Sequence, residues 1–346
     1  MPFSLNPNQP IKLRCIEKWF ETEDCVSILL SAEGEQAFQF KPGQFVTLGV
    51  KIDDKTEYRA YSISSLAGEA FLQLTIKRVV DGVVSNYIVD TLSVGDEVEC
   101  LAPTGDFNCV DHPPIEIDQQ KKVLLVSAGC GITPVYAMAN AWLREDTPVD
   151  ITFLHIARST QQTIYLDKLE AFAKNHSQFN LKLLLKNAES SGYPQGRLSA
   201  DWLKTLVPDI KQRTVYLCGP SQFMLDTADY LQQIDFDMSQ FYQESFTPRV
   251  ESEEARLVDE SVSISVPSFG KTLQANKGAL LADALEQGGV PLIVACRSGI
   301  CGSCKCKVTV GLVESSSSSP LTPEEIDQGY VLACSSTLSS DVSIEL

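Results

Sequence analysis

The most specific chemistry in this sequence sits in four cysteines. Cys296, Cys301 and Cys304 are spaced C-x4-C-x2-C, and Cys334 follows downstream in Leu332-Ala333-Cys334-Ser335. That spacing suits a 2Fe–2S cluster, for which four thiolates must converge on two irons. Three ligands come from one loop that can wrap the cluster, and a distant segment delivers the fourth. Gly299 and Gly302 let backbone amides approach the sulfur atoms, where N–H groups stabilise added negative charge. A structural zinc site is the competing reading. Zinc knuckles, however, use paired C-x2–4-C units, and this run has one short pair plus a four-residue spacer. Cys306 falls in the expected outgoing strand and is read as a packing residue, with substitution as a ligand as its alternative.

Three further groups of residues have the types needed to hold a phosphorylated heteroaromatic. Arg59-Ala60-Tyr61-Ser62 lies between two strand-like segments. There a guanidinium can pair with a phosphate, a phenol ring can stack on a flat ring system, and a hydroxyl or amide can reach a ring nitrogen. Gly82-Val83-Val84-Ser85 follows and can open a helix onto a pyrophosphate. After an apolar run comes Gly129-Cys130-Gly131-Ile132-Thr133-Pro134, which is not G-x-G-x-x-G. Its two glycines and the proline in the first helical turn still build a tight loop whose helix N-terminus can face a pyrophosphate. The bland readings stand beside these: Arg59 as a surface ion-pair partner, Tyr61 as a core aromatic.

The elements that must position these groups change texture along the chain. Residues 11–110 show short alternating or β-branched segments broken by Pro42-Gly43, Ala67-Gly68 and Val94-Gly95-Asp96, as in a small antiparallel barrel. Beyond Asp111-His112-Pro113-Pro114, strand-like runs at 122–128, 149–156, 181–186 and 214–218 alternate with helix-like runs at 134–143, 161–174, 199–206 and 221–233. Such alternation predicts a doubly wound α/β sheet. Residues 250–259 are charged and poor in apolar side chains, as in a linker. The predicted division is 1–114 as a barrel domain, 115–248 as an α/β domain, 249–259 as a linker and 260–346 as a third domain. No internal repeat is visible, and 315–319 is the one low-complexity patch.

Composition narrows the function classes. A chain of 346 residues with 44% hydrophobic content has room for two or three domains with cores. The net charge of −17 disfavours nucleic acid, whose phosphates are bound through an excess of lysine and arginine, and suits a partner with a basic face. No run approaches the roughly 18 apolar residues of a membrane span, and the first ten residues have no apolar stretch resembling a signal peptide. Eleven cysteines, an odd number with four at ligand spacing, fit a reducing cytoplasm better than a disulfide framework.

The motifs also carry a family resemblance. Residues 260–346, with the strand-like 262–266, a turn at 268–270, 272–274, a helix at 280–287 and then 291–295, resemble a plant-type 2Fe–2S ferredoxin of β-grasp fold. Arg59-Ala60-Tyr61-Ser62 resembles the R-x-Y-S flavin motif of the ferredoxin–NADP reductase superfamily, and Gly82 to Ser85 its G-x-x-S turn, which favours FAD over FMN. Leu217-Cys218-Gly219-Pro220 resembles the segment that places a cysteine near the nicotinamide ring, and Glu244-Ser245-Phe246 the position where an aromatic covers the flavin. A buried thiol at Cys218 and a core ring at Phe246 remain open alternatives. Joined in order, the three segments resemble hybrid-cluster-protein reductases over nearly the whole chain, through 127–134, 244–248, 295–305 and 321–334. Ser303 is a small departure, at a place where a relative can carry cysteine.

That resemblance implies an oxidoreductase in which NADH, or NADPH, reduces FAD, and the 2Fe–2S cluster relays electrons to a partner redox protein. The residues it assigns to FAD and nicotinamide are Arg59, Ala60, Tyr61, Ser62, Gly82, Val84, Ser85, Gly129, Gly131, Thr133, Pro134, Arg158, Cys218, Gly219, Pro220 and Phe246. Cys218, Ser62, Phe246 and Glu244 are candidates beside the reacting rings, with no catalytic acid or base assigned, because hydride transfer needs positioning more than proton transfer. Arg158, with help from Lys186 and Arg197, could hold a 2′-phosphate, yet the family favours NADH. His155 reads as a satisfied residue at a strand end. The hybrid-cluster protein is the expected acceptor, which would tie the chain to nitric oxide or hydroxylamine handling. A Rieske-type oxygenase acting on small amines is the rival, and an electron carrier or redox sensor without nicotinamide turnover is the alternative of another class.

Overall fold

A computed structural model describes residues 10–34, 36–145, 147–246, 260–318 and 320–346. The expected linker at 249–259 and Pro248 lie outside the described residues. The chain divides into two compact units, Met1–Leu48 with Tyr61–Ser245, and Gly49–Ala60 with Phe246–Leu346.

The barrel is made of β1 (Ile11–Thr22), β2 (Cys25–Ser31), β3 (Phe45–Ile52), β4 (Lys55–Ser62), β5 (Leu72–Lys77), helix α1 (Val83–Asp90) and β6 (Glu97–Cys100). Strand order is β4-β3-β6-β1-β2-β5. The antiparallel bridge between Ile63, just past β4, and Leu74 on β5 joins the two ends of that order. Closure removes the open edges that would otherwise template aggregation. Alternation explains the register: Leu13 and Cys15 turn inward while Lys12 and Arg14 stay out, and Val26, Ile28 and Leu30 are fully buried.

The α/β layer contains a short β7 (Glu116–Ile117), β8 (Gln120–Ala128), α2 (Ile132–Arg144), β9 (Val149–Ala157), α3 (Leu166–Asn175), β10 (Phe179–Leu185), α4 (Ala200–Leu206), β11 (Thr214–Cys218), α5 (Ser221–Gln233) and β12 (Phe241–Glu244). The five main strands run parallel in the order β10-β9-β8-β11-β12. Val123, Leu124, Leu125 and Val126 are all fully buried, which is why β8 reads as a continuous apolar run at the centre of the sheet. The order reverses between β8 and β11, and this switch point is where open α/β sheets leave a crevice at the carboxyl ends of their strands.

One predicted helix begins later than its sequence suggests. The segment expected from 161 becomes a 3-10 turn at Thr160–Gln162, and α3 starts only at Leu166. Tyr165 takes φ +64° and sends its hydroxyl into the barrel, where it hydrogen-bonds to Ser64 Oγ at 3.0 Å and to Thr75 Oγ1. A left-handed residue costs about 1 kcal/mol or more, so this tie must outweigh the helical preference of 161–165.

The third domain contains β13 (Ser261–Val266), β14 (Lys271–Asn276), α6 (Leu281–Gln287), β15 (Lys305–Val310), β16 (Val313–Ser315), α7 (Pro323–Asp327), β17 (Tyr330–Leu332), β18 (Ser336–Leu338) and β19 (Val342–Glu345). Its five-stranded sheet has the order β14-β13-β19-β15-β17, with β13 and β19 parallel. Val262, Ile264 and Val266 alternate inward against Leu281 and Leu285 of α6. Residues 291–295 form an irregular segment leading into the cysteine loop, with no regular element.

Candidate functional site

In the cysteine loop the four sulfurs come together. Cys296, Cys304 and Cys334 are buried and Cys301 is partly exposed. Cys296 contacts both Cys301 and Cys334, and Cys304 contacts Cys334. The amides of Ser298 and Ile300 donate to Cys296 Sγ at 3.4 Å each, and that of Cys334 donates to Cys304 Sγ at 3.4 Å. Hydrogen bonds with Cys301 and Cys334, then these amides, hold the Cys296 thiol well below the usual thiol range against the opposing effect of burial. Contact with Cys334 likewise lowers Cys304, whereas Cys301 and Cys334 are raised, so the loop favours thiolates at two of its four sulfurs.

The loop is packed to hold that shape. A Cβ on Gly299, whose φ is +75°, would lie 2.6 Å from Ser317 Cβ. Ser317 Oγ donates to Gly299 O at 2.9 Å, and Ser335 Oγ donates to Ser317 O at 2.9 Å, so the segment bearing Cys334 is strapped to the loop bearing the other three cysteines. Arg297 also has positive φ, at +53°, and is anchored by Asp283 Oδ1 at 2.8 Å and by Glu286, both on α6. Ser303 Oγ lies 3.1 Å from Cys301 Sγ, a contact that spacing alone does not foretell. Ser298 Oγ is buried in the same loop with no protein partner.

This donor set fits a 2Fe–2S cluster: four sulfurs in pairwise contact, amides aimed at them, and an orphaned hydroxyl beside them. Cys296, Cys301, Cys304 and Cys334 would hold it. Among the described residues, no three His, Cys, Asp or Glu side chains converge as they would on a single ion. Cys306 lies on β15 opposite Val331, and burial pushes its thiol up to about 12. It stays protonated and packed.

The nicotinamide motifs meet at the switch point. β8 ends at Ala128 and β11 at Cys218, and these neighbouring strands deliver Gly129–Gly131 and Cys218–Pro220 to one edge of the sheet. A Cβ on Gly131 would lie 2.2 Å from Cys218 O and 2.6 Å from Gly219 N. Only glycine permits that approach, so the two loops pack backbone to backbone. The helices that follow, α2 and α5, both begin without a side-chain cap and leave their first N–H groups available. By contrast, Ser199 caps α4, and Thr322 caps α7 in a reciprocal box with Glu325. Helices α3 and α6 are also uncapped, so bareness alone marks nothing; convergence at the switch point distinguishes α2 and α5.

Thr133 and Pro134 are buried in the first turn of α2, where Thr133 Oγ1 donates to Cys130 O at 3.0 Å and shapes the turn. Cys218 is buried, and its thiol is raised well above the usual range by burial and by Glu244, its register partner on β12. At neutral pH Cys218 is therefore an uncharged, compact group at the crevice. Phe246 follows β12 and is half-buried.

On the barrel side, β4 carries Arg59 to Ser62. Arg59 Nη1 donates to Tyr58 O at 2.6 Å, Arg59, Ala60 and Tyr61 are half-buried, and Ser62 is buried. Gly82 opens α1, again without a side-chain cap, and a Cβ there would meet Ser85 Oγ at 2.5 Å. Ser85 Oγ instead accepts from the amide of Val79 at 3.3 Å and folds the turn back on itself. Asn86 Oδ1 is buried beside this turn with no protein partner. A bare helix start, a glycine cradle and an orphaned polar atom fit a pyrophosphate, and Gly82, Val84 and Ser85 would hold it.

A cavity of about 630 Å³ at the ends of β9 and β10 is lined by Arg158, Lys186 and Asn187 together with Glu23 and Glu189. It therefore mixes signs. Arg197 does not line it and instead pairs with Asp226 at 3.6 Å. His155 is fully buried, with Nδ1 2.8 Å from Ser127 Oγ and Nε2 lacking a protein partner; burial pushes it down to about 3, so it is neutral. It is satisfied on one side only.

Comparison with known proteins assigns the parts. Residues 13–109 match the oxidoreductase FAD-binding domain family, 125–229 the oxidoreductase NAD-binding domain family, and 266–339 the 2Fe–2S iron–sulfur cluster binding domain family. The glycine betaine monooxygenase reductase subunit of Chromohalobacter salexigens is 33% identical, over 96% of this chain and 94% of that one. NADH oxidoreductase HCR of Escherichia coli is 32% identical, over 91% of each. Phthalate dioxygenase reductase has the same fold, with a TM-score of 0.66 at 21% identity over 97% of this chain and 98% of that structure. The chain belongs to the family of nicotinamide-dependent flavin reductases that carry a 2Fe–2S ferredoxin domain.

Proposed function

We propose that this reductase takes its electrons from NADH and delivers them singly to the hybrid-cluster protein. When bound, FAD and the 2Fe–2S cluster supply the conversion of a two-electron donor into one-electron steps. The chain's own residues do the positioning. Gly129, Gly131, Thr133 and Pro134 form a bare helix start for the nicotinamide pyrophosphate, and Cys218, Gly219 and Pro220 bound the crevice beside it. Cys218, kept protonated by burial, puts no charge beside the ring. Arg158 would approach the adenosine end in a cavity of mixed sign, and the choice of NADH over NADPH rests on the family resemblance.

The observation that carries the reading is the order of the three domains along one chain, FAD-binding, NAD-binding, then 2Fe–2S, shared with a relative described as an NADH oxidoreductase. A reducing, cytoplasmic location is supported by the odd number of cysteines, four of them at ligand spacing. No helix among the described residues is long and apolar enough to cross a membrane.

A second reading has its own support. The relative from C. salexigens is the reductase subunit of a monooxygenase acting on a small quaternary amine and aligns over slightly more of the chain. Mixing NADH-reduced protein anaerobically with purified hybrid-cluster protein, and separately with a Rieske-type amine oxygenase, tests both. Rapid reoxidation by the first alone is expected. Rapid reoxidation by the oxygenase alone transfers the assignment to it, and NADPH outperforming NADH overturns the choice of donor.

A further inference from the structure

One pair of thiols outside the cysteine loop is placed for chemistry that electron transfer does not use. Cys25 begins β2 of the barrel and lies opposite Lys77 in the β2–β5 ladder. Cys130 sits between the two glycines of the loop after β8, and its Sγ donates to Thr75 O on β5 at 3.3 Å. The chain thereby brings the Cys130 sulfur over the end of β5, beside Cys25 across the β2–β5 ladder. Cys25 is completely buried, whereas Cys130 is partly exposed. The other thiols outside the cysteine loop, Cys15, Cys100, Cys109, Cys218 and Cys306, are all buried.

We propose that Cys25 and Cys130 are a reversible disulfide site that ties barrel strand β2 to the glycine loop of the nicotinamide-binding domain. Cys130 is the attacking thiol and Cys25 the resolving one. Cys25 is sealed from solvent and Cys130 is partly exposed, so peroxide reaches Cys130 first, and its contact with Cys25 lowers the Cys130 thiol. The oxidant is hydrogen peroxide. The Cys130 thiolate attacks one peroxide oxygen; the S–O bond forms, the O–O bond breaks, and the departing hydroxide takes a proton to become water. Cys25 then gives up its proton and attacks the Cys130 sulfur. The S–S bond forms, the S–O bond breaks, and a second water leaves. Two thiols are oxidised by two electrons, and one peroxide is reduced to two waters.

The bond would pin the loop that carries Gly129 and Gly131, and a thiol reductant would release it. This inference is independent of the electron acceptor. To test it, the holoprotein is treated with hydrogen peroxide at doses that leave the visible absorbance of the cluster unchanged. Free thiols are then alkylated and the digest mapped by mass spectrometry. A peptide pair joined through Cys25 and Cys130, and separated by dithiothreitol, should account for most of both residues. In Cys25→Ser the same dose should leave Cys130 as a sulfenic acid captured by dimedone, and in Cys130→Ser it should leave Cys25 untouched. If wild-type protein keeps both cysteines alkylated, or if Cys130 proceeds to a sulfinic acid while Cys25 stays free, the proposal is wrong; these wild-type readouts stand even if a variant fails to fold.

Discussion

The cysteine loop and the nicotinamide crevice are both built around glycines and sulfur, yet they are specified in different ways. In the loop, function follows from atoms: the four sulfurs would be the ligands, and three of them lie within nine residues, Cys296 to Cys304. In the crevice, function follows from backbone. Gly131 and Cys218 are far apart in sequence and meet because β8 and β11 are neighbours at the reversal of strand order. The first is a local device inserted into a β-grasp; the second is a property of the sheet.

Breaking each region should therefore fail differently. The largest effect is expected from Cys301→Ser or Cys304→Ser, which remove a ligand. Iron content should fall to near zero, while FAD binding and NADH-dependent reduction of ferricyanide survive. Cys306→Ser should keep its iron, because that thiol is protonated and buried on β15. Iron analysis of the three variants separates ligand from neighbour.

Next comes Gly131→Ala, whose Cβ would collide with the backbone of Cys218 and Gly219. Displacing the loop by about 1 Å is expected to cost about a hundredfold in NADH-dependent turnover, with iron content unchanged. Loss of iron together with turnover would show that the two regions are not separately specified.

Legibility in the sequence follows the same division. Cluster spacing, the alternation of β8 through α5 and the barrel's turn-punctuated strands were readable because each rests on local pattern. The late start of α3 was not, since the hydroxyl of Tyr165 bonds to Ser64 and Thr75 in the barrel. Nor were the strap through Ser317 and Ser335 or the contact between Cys25 and Cys130, which depend on segments paired only in the folded chain. The exposed ion pair of Arg197 with Asp226 is likewise set by the fold, not by local pattern.

A smaller effect is expected inside the crevice domain. His155 titrates near 6.5 when unfolded but is pushed down to about 3 when folded, with burial as the leading cause. The unfolded chain therefore binds the extra proton as pH falls below about 6.5, and stability declines by at most about 1.4 kcal/mol per pH unit from this group. His155→Gln should flatten the fall in melting temperature between about pH 6.5 and 5 relative to wild type. An identical slope in both proteins would mean that His155 is not neutral in the fold. Smallest of all, Thr322→Ala removes the cap of α7 in the ferredoxin domain and should cost about 1 kcal/mol in thermal unfolding, with iron content unaffected.

Electrons that enter at the crevice are expected to leave through the four-cysteine loop. Anaerobic titration of the holoprotein with NADH, followed by visible absorbance and by electron paramagnetic resonance at low temperature, tests it directly. Both the flavin and the iron–sulfur absorbance should bleach, with the paramagnetic signal of a reduced 2Fe–2S cluster appearing in wild type and missing in Cys301→Ser. Flavin bleaching alone, with the cluster still oxidised under excess NADH, would contradict the account.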